Sequence, residues 1–542
     1  MWVVGTAGHV DHGKSTLVEA LTGTNPDRLK EEKQREMTIE LGFAWFRLPN
    51  GEPVGIVDVP GHRDFIENML AGVGGIDAVL FIIAADEGIM PQTREHLAIL
   101  DLLHVKTGII VMTKVDLVPD LDWLDLVEQQ VRDFCTGTIL QDAPLVRVSA
   151  ISGQGIEELR QILADKLAQT PLKADLGRPR LAVDRVFTLS GYGTVVTGTL
   201  LDGRFSVGEE VQILPRGLKA RIRGIQTYNQ KVDSASPGTR TALNLAGIDH
   251  DQIARGDVIT HAGDYLPTQR FDAQVSVIAD AAKAIAHNDA VKVFIGASEA
   301  EARMRVLEKE EIAPGETGFV QIEPRQSLIA VAGDRFILRI PSPPATIAGG
   351  VVLDPAPSGR YRLKDPRVLA RLHEMTRAAP GQELLQWIDR KGILSLAEIQ
   401  SAARMQTIQA KDIVARGLSG GELIQLSEGQ LAQDSRLVSR SALHELEVKA
   451  LTLLKAFHQE HPLLPGIEVD DLKARLGIKL ADFTPILQLW LNSGNIAREG
   501  TWISLSDHQV RFTPTQQKKT GELLARFAQA QFMPPSYAES VD

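Results

Sequence analysis

Three patterns of apolar and polar residues follow one another along the chain. Up to about residue 172, short apolar runs alternate with longer amphipathic segments. This alternation is typical of a mostly parallel sheet that is covered by helices. The runs that we predict to be strands are Trp2–Thr6, Pro53–Val59, Asp77–Ala84, Gly108–Thr113 and Pro144–Val148. The pattern therefore predicts an α/β domain over residues 1–172.

The second pattern extends from about residue 179 to 355. It consists of many short runs rich in Val, Ile and Thr, such as FTLSGYGTVVTGTLL, which are separated by Gly and Pro. Short strands with frequent turns indicate antiparallel β-barrels. A break near Asp264–Pro267 divides the stretch, so we predict one barrel over 178–264 and a second over 267–357.

The third pattern, after Arg360, is helical. Amphipathic helices at Glu445–Gln459, Val469–Leu476 and Ala481–Asn492 precede a strand–turn–strand at Asn495–Leu505. Three helices followed by a small hairpin describe a winged helix, a variant of the helix-turn-helix. We predict one such module over 440–508, an earlier one over 362–430 and the beginning of a third over 511–542. The predicted fold class is a multidomain chain with an α/β domain, two antiparallel β-barrels and α-rich tandem winged-helix modules.

Composition and charge favour a globular protein of the cytosol. The chain is 44% apolar and 23% charged, and it contains no uncharged apolar run of about 18 residues. Its N-terminus lacks the basic start and cleavage site of a signal peptide, and the single cysteine, Cys135, excludes an internal disulfide framework. A net charge of −11 argues against indiscriminate coating of nucleic acid but allows a local basic patch for a folded RNA. No extended heptad seam stands out, so a monomer is expected.

The first chemical signal is the loop after the first predicted strand, which matches G-x-x-x-x-G-K-[ST]. The backbone N–H groups of such a P-loop surround phosphates, helped by the N-terminus of the following helix. Lys14 would place a charge between the β- and γ-phosphates, and Ser15 would offer a hydroxyl to Mg²⁺. The alternative is a glycine turn without a ligand. The predicted phosphate-binding residues are Gly8, His9, Val10, Asp11, His12, Gly13, Lys14, Ser15, Thr16 and Gly61.

Two further segments have the character of nucleotide switches. Asp58 ends a predicted strand and can hold Mg²⁺ through water, while the amide of Gly61 can sense the γ-phosphate. His62 is placed to orient the attacking water as the catalytic residue; alternatively it is a structural histidine that caps the next helix. Thr38, in a charge-rich segment, is the second hydroxyl ligand expected for Mg²⁺; alternatively that segment is an ordinary surface loop.

Residues at two more strand ends are expected to bind a guanine base. Asp116 can accept hydrogen bonds from the N1–H and the exocyclic amine of guanine, which adenine does not present in the same way. Lys114 would pack its stem over the base, and the amide of Ala150 would donate to the guanine carbonyl. The T-K-x-D motif alone means little, but its order after the two phosphate motifs makes coincidence negligible. The predicted guanine-binding residues are Thr113, Lys114, Asp116, Ser149, Ala150 and Ile151.

The motifs GHVDHGKST, R-x-x-T-I, DVPGH and K-x-D together resemble those of the translational GTPases, whose architecture also has two following barrels. With winged helices after the barrels, the chain is similar to the selenocysteine-specific elongation factors, and LGFAWFRLP and LAVDRVFTLSGYGTVVTGTL extend the resemblance over nearly the whole chain. The resemblance implies GTP or GDP as ligand, Mg²⁺ as cofactor and GTPase activity stimulated by the ribosome. It also implies selenocysteyl-tRNA, the ribosome and an mRNA hairpin as partners, with delivery of the tRNA at UGA codons. The family binds the hairpin chiefly through the last of four winged helices, whereas this sequence predicts two modules and the beginning of a third. No hairpin-binding residues are therefore assigned.

The family's aminoacyl pocket is basic, which suits a selenol that is ionised at neutral pH. Asp184, Arg185 and Arg240 match positions of that pocket; the alternative is an ion pair at a barrel rim. Two departures from the family pattern have expected effects. Thr113 replaces an Asn, which is expected to loosen hydrogen bonding between loops. Glu36 and Met37 replace Gly-Ile before the switch threonine, so we expect switch mobility to differ.

Three other functions stay open on the sequence alone. A general translational GTPase, of the elongation or initiation type, accounts for the nucleotide motifs but not for the helical tail. A nucleotide-gated regulator that binds nucleic acid through its winged helices would favour a basic exposed helix in each module, and Ala481–Asn492 has few basic residues. A sulfate-activating GTPase subunit shares the first three domains and gives no reason for the tail.

Overall fold

The computed structural model describes residues 2–27, 32, 38–62, 65–73, 75–105, 107–170, 177–189, 191, 193–228, 230–377, 380–402, 407–530 and 534–541. The described chain divides into two compact units, one running to residue 377 and the other starting at residue 380. The predicted switch residues Arg35, Glu36 and Met37 lie outside the described residues. Within the described part, no helix is long and apolar enough to cross a membrane.

The first domain is a six-stranded sheet with the order β2-β3-β1-β4-β5-β6. Its strands are β1 (Trp2–Gly8), β2 (Gly42–Arg47), β3 (Pro53–Asp58), β4 (Ala78–Ala84), β5 (Thr107–Thr113) and β6 (Leu145–Arg147). Its helices are α1 (Lys14–Thr22), α2 (Ile66–Val73), α3 (Pro91–Leu103), α4 (Leu121–Cys135) and α5 (Ile156–Gln169). All five predicted strands are present, with ends one or two residues from the prediction. The edge strand β2, which runs antiparallel to β3, is an addition to them.

Helices cover both faces of this sheet because its strands are apolar on both sides. In β4, Val79 and Phe81 pack with α2, α3 and α4, whereas the alternating residues Leu80 and Ile82 pack with α1 and α5. Since the central strands are parallel, the loops after their carboxyl ends meet at one edge of the sheet. This edge is where a doubly wound sheet binds its ligand.

Two antiparallel barrels complete most of the first unit. The first barrel contains β7 (Arg180–Leu189), β8 (Gly193–Asp202), β9 (Phe205–Ser206), β10 (Glu210–Leu214), β11 (Leu218–Thr227), β12 (Gln230–Val232), β13 (Ser234–Ala235), β14 (Thr239–Ala246) and β15 (Val258–Thr260). Six of these strands form its ring, in the order β10-β15-β7-β8-β14-β11, and pairing between β10 and β11 closes it.

The second barrel is closed in the order β16-β21-β19-β18-β22-β23. Its region contains β16 (Phe271–Val277), β17 (Ile285–Ala286), β18 (Ala290–Ile295), β19 (Ser298–Val306), β20 (Glu311–Ile312), β21 (Thr317–Pro324), β22 (Arg335–Ile340) and β23 (Ala345–Asp354). Helix α6 (Pro366–Arg377) packs Val368 and Leu372 against this barrel, and Arg371 pairs with the buried Asp272 at 2.6 Å. The predicted module 362–430 begins with this helix, which the structure places with the barrel instead, because its apolar face completes the barrel's outer core.

The second unit contains two three-stranded sheets with flanking helices. Its elements are α7 (Pro380–Lys391), β24 (Leu394–Ser395), α8 (Leu396–Ala402), α9 (Thr407–Ser419), β25 (Leu423–Gln425), β26 (Arg436–Ser439), α10 (Arg440–Glu460), β27 (Ile467–Glu468), α11 (Val469–Leu476), α12 (Leu480–Ser493), β28 (Ile496–Glu499), β29 (Trp502–Leu505), α13 (Pro514–Gln529) and α14 (Tyr537–Val541). The three helices and hairpin predicted between 440 and 508 are all present. The fold class predicted from the sequence is confirmed: a P-loop α/β domain, two antiparallel barrels and α-rich winged helices.

Candidate functional site: a nucleotide pocket beside a basic interdomain cavity

The loop from Gly8 to Gly13 joins β1 to α1 at the carboxyl edge of the sheet. Gly13 has φ 78°, a left-handed conformation that glycine adopts without strain, and no described side chain caps the N-terminus of α1. The first amides of α1 are therefore oriented toward the loop, as anion binding requires. Lys14 is buried and donates from Nζ to the carbonyl oxygen of His9 at 2.6 Å. Burial lowers the pKa of Lys14 to about 8, so a bound anion would stabilise its charge.

Side-chain oxygens from four residues converge beside Lys14. The hydroxyl of Ser15 lies 2.7 Å from Asp58 Oδ2 and 2.8 Å from the hydroxyl of Thr38, which in turn lies 2.9 Å from Asp27 Oδ1. These three contacts contain only two hydroxyl protons. When Ser15 donates to Asp58 and Thr38 donates to Asp27, no proton is left for the contact between the two hydroxyl oxygens, and their lone pairs face each other. An oxygen-only cluster with excess acceptors is the ligand set that Mg²⁺ prefers. The three residues predicted from the sequence are thus brought together, and Asp27 joins them.

Asp58 is held in place from the strand side. The hydroxyl of Thr6 donates to Asp58 Oδ1 at 2.7 Å and accepts from the amide of Val59 at 3.0 Å. Burial raises the pKa of Asp58, although Thr6 and Lys14 act in the opposite direction. A divalent cation at the oxygen cluster would favour the carboxylate form of Asp58, because an opposite charge nearby favours ionisation.

Gly61 lies against the phosphate loop at a distance that admits no side chain. A Cβ atom at this position would meet Nζ of Lys14 and would lie 2.7 Å from the backbone nitrogen of Val10. The backbone of Gly61 therefore lies directly beside Lys14 and the loop after β1. His62 follows directly, with its ring centroid 5.8 Å from that of Phe65.

The predicted guanine-binding residues occupy the loops after β5 and β6. Thr113 donates from Oγ1 to the carbonyl oxygen of His12 at 2.7 Å, so threonine provides a hydrogen bond to the phosphate loop at this position. Lys114 has φ 57° and pairs with Glu87 at 3.1 Å. Asp116 is exposed, in the short turn Val115–Leu117.

The second guanine loop is closed by its own hydrogen bonds. Ser149 is buried and accepts from the amide of Ser152 at 3.1 Å, while Ala150 is half-buried and Ile151 is 85% exposed. The rigid turn leaves the backbone after Ser149 accessible to a base, whereas the Ile151 side chain extends into solvent.

Two buried imidazoles lie at this loop: His12 belongs to it, and His96 contacts it from α3. The contact of His96 is not among the sequence predictions. His96 of α3 accepts a hydrogen bond from the amide of Gly8 at 2.9 Å, and burial lowers its pKa to about 3. Burial also lowers the pKa of His12, to about 4. Both rings are neutral at physiological pH. A histidine at an apolar position of an amphipathic helix was the available signal for His96, but its partner lies 88 residues earlier in the chain.

The three predicted aminoacyl-pocket residues lie on the face of the first barrel that is turned to the six-stranded sheet. Arg240 forms a bidentate pair with the buried carboxylate of Asp184, with Nη2 at 2.8 Å from Oδ1. Arg185 is not part of that pair; it lies 3.1 Å from Glu40 Oε2. Both guanidinium groups contact the ring of Phe43, with Cζ atoms 3.5 Å (Arg240) and 5.1 Å (Arg185) from its centroid.

A cavity of about 210 Å³ opens between these arginines and the sheet edge. The remaining lining is largely apolar and includes Trp45, Phe187 and Tyr228. Tyr228 Oη is buried and has no hydrogen-bond partner among the described residues. The sequence reasoning anticipated the charged residues of this cavity and not the aromatic side chains of β2, since β2 was not predicted as a strand.

Models of known protein families match four stretches of the chain. The elongation factor Tu GTP-binding domain matches residues 1–169, and elongation factor Tu domain 2 matches residues 193–260. The β-barrel domain of selenocysteine-specific elongation factor matches 272–359, and the winged helix of elongation factor SelB matches 451–505. The fold and these matches define the class: the protein is a translational GTPase with GTP or GDP as its ligand.

Individual relatives narrow the assignment. The selenocysteine-specific elongation factor of Desulfomicrobium baculatum is 38% identical over 98% of this chain and 84% of its own length. The factor of the same name from Escherichia coli (strain K12) is 34% identical over 95% of this chain and 80% of its own length. The chain belongs to the family of selenocysteine-specific elongation factors.

A solved structure shares the architecture. The crystal structure of a bacterial selenocysteine-specific elongation factor, EF-Sec, matches with a TM-score of 0.60 at 23% identity, covering 93% of this chain and 99% of that one. At this identity the likeness shows a common fold.

Proposed function

We propose that this protein binds selenocysteyl-tRNA in its GTP form, delivers it to the ribosome at UGA codons and releases it after GTP hydrolysis. The observation that carries the proposal is the basic, aromatic-lined cavity between the GTPase sheet and the first barrel. A selenol is ionised at neutral pH and a seryl hydroxyl is not. Arg185 and Arg240 line the cavity, and each also pairs with a carboxylate; their guanidinium groups would stabilise a selenolate more than a neutral hydroxyl and so distinguish the two aminoacyl groups.

We assign the nucleotide roles on the geometry of the sheet edge. Lys14 and the amides that begin α1 would bind the β- and γ-phosphates, and Asp116 would accept from the guanine base. Ser15 and Thr38 would hold Mg²⁺ directly, and Asp58 would hold it through water. The chemistry that Mg²⁺ supplies in such a site is neutralisation of phosphate charge.

For the hydrolysis step we assign a positioning task to the loop after β3. The backbone of Gly61 would detect the γ-phosphate, and His62 would orient the attacking water. Enzymes of this kind accelerate when a partner completes the switch geometry, so ribosome stimulation is part of the proposal. An mRNA hairpin is the further partner that we propose for the C-terminal modules.

The test is protection of the aminoacyl ester bond against hydrolysis. Selenocysteyl-tRNA, seryl-tRNA of the same sequence and bulk aminoacyl-tRNA are each incubated with the protein and GTP or GDP. Protection of selenocysteyl-tRNA alone, and only with GTP, is expected. Equal protection of all three would instead assign a general translational GTPase, and protection of none would favour a nucleotide-gated regulator.

Variants connect this result to the cavity. Arg240→Ala should weaken protection of selenocysteyl-tRNA about tenfold or more, because it removes a charge and leaves the buried Asp184 unpaired. Arg221→Ala is the matched control, since Arg221 is an exposed barrel arginine with a side chain 62% accessible. Equal protection of selenocysteyl-tRNA by the two variants would contradict a role of the cavity in aminoacyl recognition.

A further inference from the structure

The segment Thr38–Leu41 connects the oxygen cluster of the nucleotide pocket to the arginines of the cavity. At its first residue, the hydroxyl of Thr38 lies 2.8 Å from that of Ser15. At its far end, Arg185 pairs with the carboxylate of Glu40 at 3.1 Å and donates to the carbonyl oxygen of Leu41. Only Ile39 separates Thr38, the candidate metal ligand, from Glu40, which pairs with Arg185.

Contacts in the middle of the segment keep this connection in register. The amides of Ile39 and Glu40 donate to Oε1 of the buried Glu32, at 3.1 and 3.0 Å. The carbonyl oxygen of Ile39 accepts from Asn68 of α2 at 2.9 Å. Each of the four residues is held by a contact, so few backbone torsions between Thr38 and Glu40 can change independently. A displacement of Thr38 is therefore expected to move Glu40 as well.

We propose that Glu40 is a positioning residue for the aminoacyl pocket, and that it holds Arg185 over Phe43 only while Thr38 occupies the oxygen cluster. This inference rests on the proposed function and adds the residue that links the nucleotide pocket to Arg185. Loss of the γ-phosphate would free Thr38, withdraw Glu40 and Leu41 from Arg185, and leave the pocket with a mobile arginine. GTP would thereby build the site that binds an anionic aminoacyl group.

Glu40 has two effects on Arg185 that oppose each other: it orients the guanidinium group, which favours an anionic ligand, and it offsets the positive charge, which disfavours one. The size of each effect decides which one dominates. The Glu40 side chain is 52% accessible, so solvent screens its pairing with Arg185 and neutralisation is weak. Screening does not remove the direction of the contact: Glu40 Oε2 and the Leu41 carbonyl oxygen both contact Nη2 of Arg185, and together they fix the orientation of the guanidinium group. Positioning therefore outweighs neutralisation.

The experiment compares Glu40→Ala, Glu40→Gln and the control Glu52→Ala in the full-length protein. Glu52 is exposed, at the turn between β2 and β3. With GTP, Glu40→Ala should bind selenocysteyl-tRNA about fivefold more weakly, the upper end for a partly exposed pair. Glu40→Gln keeps an oxygen acceptor and should lose less, and the control should bind as the native protein does. Binding of seryl-tRNA and binding in the GDP form should be unchanged in all three.

The opposite results overturn the inference. Tighter binding by both Glu40 variants would make Glu40 a neutralising counter-ion, and unchanged binding would make it a surface residue. A parallel loss of GTP affinity in Glu40→Ala would place its effect in the nucleotide pocket. A native protein that binds seryl- and selenocysteyl-tRNA equally would overturn the proposed function itself, whatever the variants do.

Discussion

At the scale of single residues, the nucleotide pocket depends on side chains whose charge is set by burial. Lys14 and Asp58 are both buried, and each is the ionised partner that a phosphate or a cation would stabilise. His96 and His12 show the reverse case, because burial keeps both rings neutral. His96 accepts a hydrogen bond from the amide of Gly8. The candidate phosphate loop thus has neutral rings beside it rather than further positive charge.

These two imidazoles should make the first unit sensitive to acid. In the unfolded chain each would titrate near about 6.5, whereas folding lowers the pKa values of His12 and His96 to about 4 and 3. Below pH 6.5 the unfolded state therefore binds more protons, and stability falls as pH falls. Between pH 7.5 and 5.5 the free energy of unfolding should decrease by about 1.4 kcal/mol for each ring.

Denaturant unfolding at the two pH values checks this, with His96→Gln as the informative variant. Glutamine can accept the Gly8 amide but takes up no proton, so about half of the expected pH dependence should disappear. His444→Gln is the control, because His444 is largely exposed in the second unit. An unaltered pH dependence in His96→Gln would contradict the buried-imidazole account.

At the scale of elements, the second unit has one core shared by its two sheets and their helices. Leu426 and Val438 of the first part pack in the same cluster as Phe483 and Trp490 of α12. Arg436 of β26 adds a bidentate pair to the buried Asp482 of α12, at 2.8 and 3.0 Å. The two winged-helix parts therefore form one cooperative body within this unit.

Asp482→Ala should lower the stability of this body by about 2 kcal/mol. A buried pair that loses one partner typically costs more, but Arg436 is partly exposed and solvent screens its remaining charge. Trp490 is buried in the shared core, so tryptophan fluorescence during denaturation reports the transition. Asp470→Ala, which breaks an exposed pair with Lys473, should change stability by less than about 0.5 kcal/mol. Two separate transitions in the native protein would contradict the shared core.

At the scale of the first unit, Asn68 of α2 joins three parts of the molecule. Its amide nitrogen donates to the carbonyl oxygen of Ile39, and its amide oxygen accepts from Arg255 of the first barrel. Beside it, Glu67 pairs with Lys292 of the second barrel at 2.8 Å. The segment Thr38–Leu41 is thus linked through α2 to both barrels.

Asn68→Ala should uncouple the segment Thr38–Leu41 from the barrels. The backbone amides of Ile39 and Glu40 should exchange with solvent deuterium about tenfold faster in the presence of a GTP analogue, because one hydrogen bond of the segment is lost. Hydrogen–deuterium exchange measured by mass spectrometry checks this. Asn50→Ala, at the exposed turn after β2, is the control. Equal exchange in the two variants would show that Asn68 does not restrain the segment.

What the sequence alone determined is the set of features coded within a few neighbouring residues. Glycine spacing, the order of the nucleotide motifs and the change from helical to strand periodicity predicted the fold class, and the same signals named the candidate nucleotide residues. The same local signals placed α11 at Val469–Leu476 without error in its ends.

Only the tertiary structure decided which distant residues meet. Local pattern does not specify that His96 accepts from Gly8, that α6 packs on the second barrel, or that Arg185 meets Glu40 while Arg240 meets Asp184. These contacts join residues separated by many positions along the chain, and they form because packing of the whole unit brings buried or charged groups within reach of a partner. The physical reason is that periodicity determines which face of an element is apolar, whereas the partner of that face depends on every other element around it.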